Sequence, residues 1–188
     1  MAQQPTRPNA ALLAGAGAAA LGLGGFLYLR AKRPPVINPR VPEPAKPVDL
    51  NRYLGRWYEI ARHEYLFEEG MDAVTADYSR LAADKIGVTN AGTRGGKRKV
   101  ARAKGVVADK ATGAKLKLSF FGPLYVGDYW VLDHADDYSW SIVGEPGGRY
   151  LWLLSRSPRP GDKEVDALFA RAKSLGYDTG ALRRTHQP

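Results

Sequence analysis

From Asp49 onward, apolar and polar residues alternate in short runs with a period of two. "KLKLS" sets Leu116 and Leu118 against Lys115 and Lys117, and "VTADY" sets Val74, Ala76 and Tyr78 against Asp77. Alternation of this kind marks a half-buried strand. The runs are rich in Val, Tyr, Trp and Thr, and turn-forming clusters divide them: "AADK", "RGGKR", "DKATG", "FGPLY", "HADD" and "GEPGG". The pattern predicts strands near 55–64, 73–81, 86–93, 99–108, 114–120, 126–134, 138–144 and 149–156. Links this short join neighbours in antiparallel order. The expected fold is all-β, an eight-stranded antiparallel up-and-down barrel whose closure removes exposed edges.

One stretch carries the helical period instead. "GDKEVDALFARAKSLG" places Val165, Leu168, Phe169, Ala172 and Leu175 on one stripe, with Asp162 as N-cap and Gly176 as the stop. The eighth run, "YLWLLSR", is apolar on both faces and needs a second covering layer. The C-terminal helix supplies it from outside the barrel. "ALRRTHQ" reads as a short ninth strand.

The first 48 residues follow neither pattern. Ala10–Leu29 carries no charge over twenty residues, about 30 Å of helix and about the thickness of a bilayer core. Residues 1–33 are read as an N-terminal apolar helix, a membrane anchor or signal segment. "LRAKRPP" offers a poor cleavage site, which favours an uncleaved anchor. Residues 34–48 hold six prolines and are read as a semi-rigid linker, rising about 3.1 Å per residue. Residues 49–188 form the folded domain.

Charge and cysteine content narrow the functions. The net charge is +9, but residues 1–48 hold six Lys/Arg against one acid, and the remainder holds 22 against 18. The folded part is only mildly basic. The basic run from Lys97 to Lys104 has no aromatic residues interleaved for base stacking, so nucleic acid is not an expected partner. With no cysteine, thiolate metal sites, a thiol nucleophile and a lipid-bearing cysteine are all excluded. The three histidines lack metal-helix spacing, and Asp133, Asp136 and Asp137 beside His134 occupy a turn that favours Asp. No catalytic residue, metal site or cofactor is expected.

In a closed barrel the first and eighth strands are neighbours, so Trp57 and Arg156 meet at the same end. A guanidinium over an indole closes that end, and Gly55 lets the chain cross beneath it. These residues also carry a resemblance. "GRWYEIAR", "LDHADDY" and "YLWLLSR" resemble the three signature regions of the lipocalins, over about residues 49–188. "SFFGP" and "YLWLLSRSP" resemble most the bacterial outer-membrane type, related to apolipoprotein D and plant temperature-induced lipocalins. The resemblance implies an apolar cavity in the barrel, a lysophospholipid or fatty acid as ligand for storage or transport in membrane maintenance, and a homodimer. It also implies an outer-membrane lipoprotein, but the acylated cysteine is absent here. The expected location is therefore the periplasmic side of a bacterial envelope, held by an inner-membrane anchor.

With Trp57 at the closed end, the opposite loops ring the mouth. Phe67, Phe121 and Tyr125 form an apolar lip, and Arg94, Lys97, Arg98 and Lys99 form a cationic hairpin beside it. Alternation assigns Val74, Ala76, Tyr78, Leu118, Phe120, Tyr150, Trp152, Ala61 and His63 to the interior as ligand-binding candidates. A lipid carrier fits this arrangement. A membrane-tethered interaction module, its barrel filled by its own side chains, is the alternative.

Overall fold

The computed structural model describes residues 33–65, 68–120 and 122–188. The chain divides after Arg33, and the unit described here is Pro34–Pro188. The apolar run 10–29 and the lip residues Phe67 and Phe121 lie outside the described residues. Among the described residues no helix is long and apolar enough to cross a membrane.

A short helix, α1 (Leu50–Tyr53), is capped by the Asp49 carboxylate, which accepts from the Asn51 N–H. The strands follow as β1 (Gly55–His63), β2 (Asp72–Ala82), β3 (Lys85–Arg94), β4 (Lys97–Val107), β5 (Lys115–Ser119), β6 (Gly127–His134), β7 (Trp140–Gly144) and β8 (Leu151–Ser155). Successive strands pair antiparallel, and β1 pairs with both β2 and β8, which closes the barrel. Alternation then sorts the side chains into two layers. Trp57, Tyr78, Val88, Leu116, Leu118 and Val143 belong to the interior cluster. Leu132, Ile142, Leu151 and Leu153 face outward, where α2 (Asp162–Ser174) covers them with Leu168 and Ala172. The apolar second face of β8 is thereby buried, as the sequence required.

The start of α2 corrects the sequence reading by one residue. Gly161, not Asp162, is the N-cap; it has no side chain to cap the helix, and its N–H donates to the Glu164 carboxylate at 2.9 Å. Gly176, with φ +92°, lies just past the end of the helix.

The proline-rich segment is also corrected. It is not a free spacer. The Ile37 N–H donates to Gly148 O at 2.8 Å, Ala45 N–H to Leu132 O at 2.8 Å, and Val48 N–H to Thr112 O at 2.7 Å. Ile37 and Val48 are buried, and the Asn38 side chain donates to Leu175 O at 2.9 Å. An extended proline-rich chain keeps its backbone groups unpaired along its own length, so they are available to barrel loops. Gly148 makes the approach possible. Its φ is +64°, and a Cβ there would lie 1.7 Å from Asn38 O. Gly148→Ala is expected to cost about 2 kcal/mol or more, read as a lower urea midpoint. An unchanged midpoint would mean that the segment is not docked there.

The seam between β1 and β2 is closed in two parts. Near the closed end, Gly55–Tyr58 pair directly with Thr75–Tyr78. Toward the mouth, β9 (Leu182–Arg184) pairs with Ala61–His63 instead. Beyond β9, the Gln187 amide donates to both Glu59 O and Val74 O at 2.8 Å, bridging the two strands. The ninth strand expected from "ALRRTHQ" is thus part of the wall.

Candidate functional site

Trp57 is fully buried at the closed end, and its Nε1 donates to Tyr53 O at 2.9 Å. The Arg156 guanidinium lies 3.9 Å from the indole centroid. It also donates to Arg52 O and Leu54 O at 2.8 Å, satisfying carbonyls at the end of α1, and to Arg56 O in β1 at 2.7 Å. Gly55 has φ +93°, and a Cβ there would stand 3.3 Å from Arg156 Nη1. Tryptophan, arginine and glycine therefore form one closure, as the sequence reading placed them.

Above Trp57 the floor is a chain of hydroxyls. Tyr78 and Tyr129 are linked at 2.7 Å, Tyr129 and Tyr53 at 3.0 Å, and Tyr53 and Ser141 at 3.1 Å. Burial pushes the Tyr53 hydroxyl up to about 12, so it stays neutral at physiological pH. The wall above contains Val74, Ala76, Leu118 and Trp152, each where alternation put it.

Two interior candidates are displaced by a bulge. Glu59 pairs with Leu154 and Ala61 with Leu153, which leaves Ile60 as an extra residue. The bulge reverses the faces of the rest of β1. Ala61 packs in the outer layer with Leu153, and His63 shares that side, with Nδ1 2.6 Å from Arg149 O. Arg62 turns inward instead, opposite Trp152, and is fully buried. Phe120 is displaced for another reason. β5 ends at Ser119, so the alternation stops there and Phe120 is 46% exposed.

Arg62 brings a group of charges that the sequence reading missed. It donates from Nη1 to Glu59 at 2.6 Å, and from Nη2 to Glu64 and to Met71 O at 3.1 Å and to Glu68 O. Thr185, just past β9, hydrogen bonds to the same Glu59 oxygen. The Glu68 carboxylate accepts from Trp152 Nε1 at 3.0 Å. The signal in the sequence was three acids, Glu59, Glu64 and Glu68, close around one arginine. Only the bulge reveals that they converge.

Burial, reinforced by the nearby Glu59 charge, lifts the Glu68 carboxyl from 4.5 to about 7. Glu59 is also pushed up by burial, against the pull of Arg62. Glu68 holds its proton more tightly folded than unfolded, so its contribution to stability is full below about pH 4.5 and lost as pH rises through about 7. Between about pH 5 and about pH 8, wild type should lose about 1–3 kcal/mol more than Glu68→Gln, measured by urea unfolding. Parallel pH profiles would exclude Glu68 as the source.

At the mouth, Tyr150 stacks on Trp152 at 5.9 Å, and Tyr65 meets Tyr150 edge-on at 5.1 Å. Across the barrel, four strands away in the order, rises the β3–β4 hairpin. Lys97, Arg98 and Lys99 are exposed on it, Arg94 is half-buried opposite Lys97 beside the turn, and Tyr125 is half-buried on the neighbouring loop. The Asp cluster near His134 makes structural contacts. Asp133 pairs with Arg171 at 2.6 Å and Asp136 with Lys46 at 2.7 Å, and His134 Nε2 lies 3.0 Å from Pro47 O.

A family model described as a lipocalin-like domain matches residues 48–187. The chain is 40% identical to the outer membrane lipoprotein Blc of Vibrio cholerae, over 76% of this chain and 86% of that protein. It is 38% identical to outer membrane lipoprotein Blc of Escherichia coli, over 74% and 80%. It is 36% identical to temperature-induced lipocalin-1 of Arabidopsis thaliana, over 77% and 82%. Among solved structures, insecticyanin from the tobacco hornworm Manduca sexta superposes with a TM-score of 0.61 at 23% identity, covering 82% of this chain and 86% of that one. That likeness shows the shared barrel fold. The chain belongs to the lipocalin-like family.

Proposed function

We propose that this barrel is a lipid carrier that binds one single-chain amphiphile, a lysophospholipid or fatty acid, with its tail inside and its head at the mouth. The observation that carries the reading is the course of the inward face. Val88, Ala103 and Leu118 give it an apolar side above the tyrosine floor, the buried Arg62–Glu59 pair is confined to the β1 side, and at inward-facing Ala101 it opens to solvent. Membership in the lipocalin-like family supports the same reading. Val74, Ala76, Tyr78, Leu118 and Trp152 form the tail wall, and Tyr150 the upper ring.

Each buried methylene contributes about 0.8 kcal/mol, so ten give a gross gain near 8 kcal/mol, reduced by ordering the tail. The head meets two kinds of charge. Arg94, Lys97, Arg98 and Lys99 attract an anionic group at an exposed rim, where salt screens them. Glu68 lies on the other side and disfavours a bare anion pressed against it. A role in storage or transport for membrane maintenance, on the periplasmic side of a bacterial envelope, fits relatives named outer membrane lipoproteins. The same reading includes a homodimer, which sedimentation of the full chain measures.

A titration tests the head-group assignment. Changing Arg94, Lys97, Arg98 and Lys99 together to Gln should weaken an anionic single-chain ligand about tenfold. A neutral ligand with the same tail should be almost unaffected. Equal losses for both would remove the cationic rim from the mechanism.

A further inference from the structure

The rim of the barrel is uneven. β5 pairs with β4 over Lys104–Val107, so residues 97–103 of β4 rise past it with no strand partner on that edge among the described residues. Between Asp84 and Asp109 the chain carries seven Lys/Arg and no acid. Beside this edge, the β5–β6 connection exposes apolar side chains. Leu124 is 69% exposed and Val126 79%. A groove of about 690 Å³ joins the two features, lined by Leu81, Arg102, Lys104, Phe120, Pro123 and Tyr125 among others. One flank of the mouth is therefore cationic and apolar together.

The combination selects its partner. Nucleic acid offers phosphates but gives no role to Leu124 and Val126, which are aliphatic and cannot stack on bases. A second copy would set the same cations against each other, and lysines on an open strand edge discourage such pairing. A bilayer containing anionic phospholipid offers both negative charge and a hydrocarbon boundary. We propose that this flank docks on an anionic lipid bilayer. Leu124 and Val126 enter the headgroup boundary, while Lys97, Arg98, Lys99, Arg102 and Lys104 rest on lipid phosphates. The inference goes beyond ligand binding and does not need an occupied barrel. It brings the mouth to the membrane surface by a contact separate from any N-terminal anchor.

The absence of cysteine allows a site-specific test in the full chain. Leu124→Cys carries an environment-sensitive fluorophore, and Lys110→Cys, exposed on the closed-end β4–β5 turn, carries the same group as a control. Vesicles are phosphatidylcholine alone or mixed with phosphatidylglycerol, with or without nitroxide-bearing lipid. At position 124 the emission should shift to the blue and be quenched by nitroxide lipid, on the anionic vesicles only. At position 110 the fluorophore should stay in water, even where residues 1–33 hold the chain on the vesicle. Lys97→Glu, Arg98→Glu and Lys99→Glu together, all exposed, should raise the lipid concentration at half-shift about tenfold, and added salt should act in the same direction. A fluorophore at 124 that remains aqueous on anionic vesicles, or a shift indifferent to charge reversal, would overturn the proposal. So would a shift that grows with protein concentration without lipid, which assigns the surface to a second copy. None of these outcomes depends on whether the barrel binds an amphiphile.

Discussion

Arg62→Met is expected to destabilise the folded domain by about 3–5 kcal/mol. Breaking a buried ion pair by removing one partner leaves the other charge without compensation. Arg62 is fully buried, and it is the cation that Glu59 faces at 2.6 Å. It also satisfies Met71 O and Glu68 O in the β1–β2 connection, so its loss should loosen that segment. Adding Glu59→Gln should restore part of the stability, because the pair share one interaction and their losses do not add. Urea unfolding of the two single variants and the double variant measures this. Full additivity would mean that the two side chains act independently.

Trp57→Ala is expected to cost about 3–5 kcal/mol, the usual range for emptying a large buried aromatic site. Arg156→Ala should cost less, since part of its worth lies in exposed hydrogen bonds to Arg52 O and Arg56 O. The double variant should lose less than the two single losses combined, because the guanidinium packs on the indole at 3.9 Å. A double-mutant cycle with no coupling would dissolve the closure as an energetic unit.

Much of this architecture was legible because it rests on periodicity. Leu116 and Leu118 alternate with lysines, Leu151 and Leu153 demand an outer cover, and Val165, Leu168 and Ala172 repeat at helical spacing to supply it. Trp57 and Arg156 could be placed together because barrel closure makes neighbours of the first and last strands. What failed did so where periodicity is broken locally. The extra residue Ile60 reverses the faces of β1, so Ala61 and His63 leave the interior and Arg62 enters it. A bulge is set by hydrogen-bond geometry across two strands, and one strand's sequence does not display it. Phe120 escaped for a similar reason: nothing in "KLKLSFF" marks Ser119 as the last paired residue.

The proline-rich run shows a different limit. Its composition gives a local backbone conformation but not its contacts, and Pro34–Val48 is held by Gly148, Leu132 and Thr112. The structural edge of the domain thus lies nearer residue 34 than residue 49. A chain trimmed to Pro47 would keep the Val48 bond to Thr112 but lose the bonds to Gly148 and Leu132, together with the burial of Ile37 and the side-chain bond of Asn38. Chemical unfolding of the trimmed chain should show a lower midpoint than one starting at Pro34.

The central claim is that the interior holds a single amphiphile tail, and native mass spectrometry with a homologous series tests it most directly. The full chain is incubated with lysophospholipids that share one head group and differ in acyl length. One ligand per barrel is predicted, with affinity rising by roughly three- to fourfold per added methylene until the tail reaches the tyrosine floor. Trp152→Ala should weaken the series as a whole. Absence of a saturable complex, or an affinity independent of tail length, would contradict the carrier and leave a barrel filled by its own side chains.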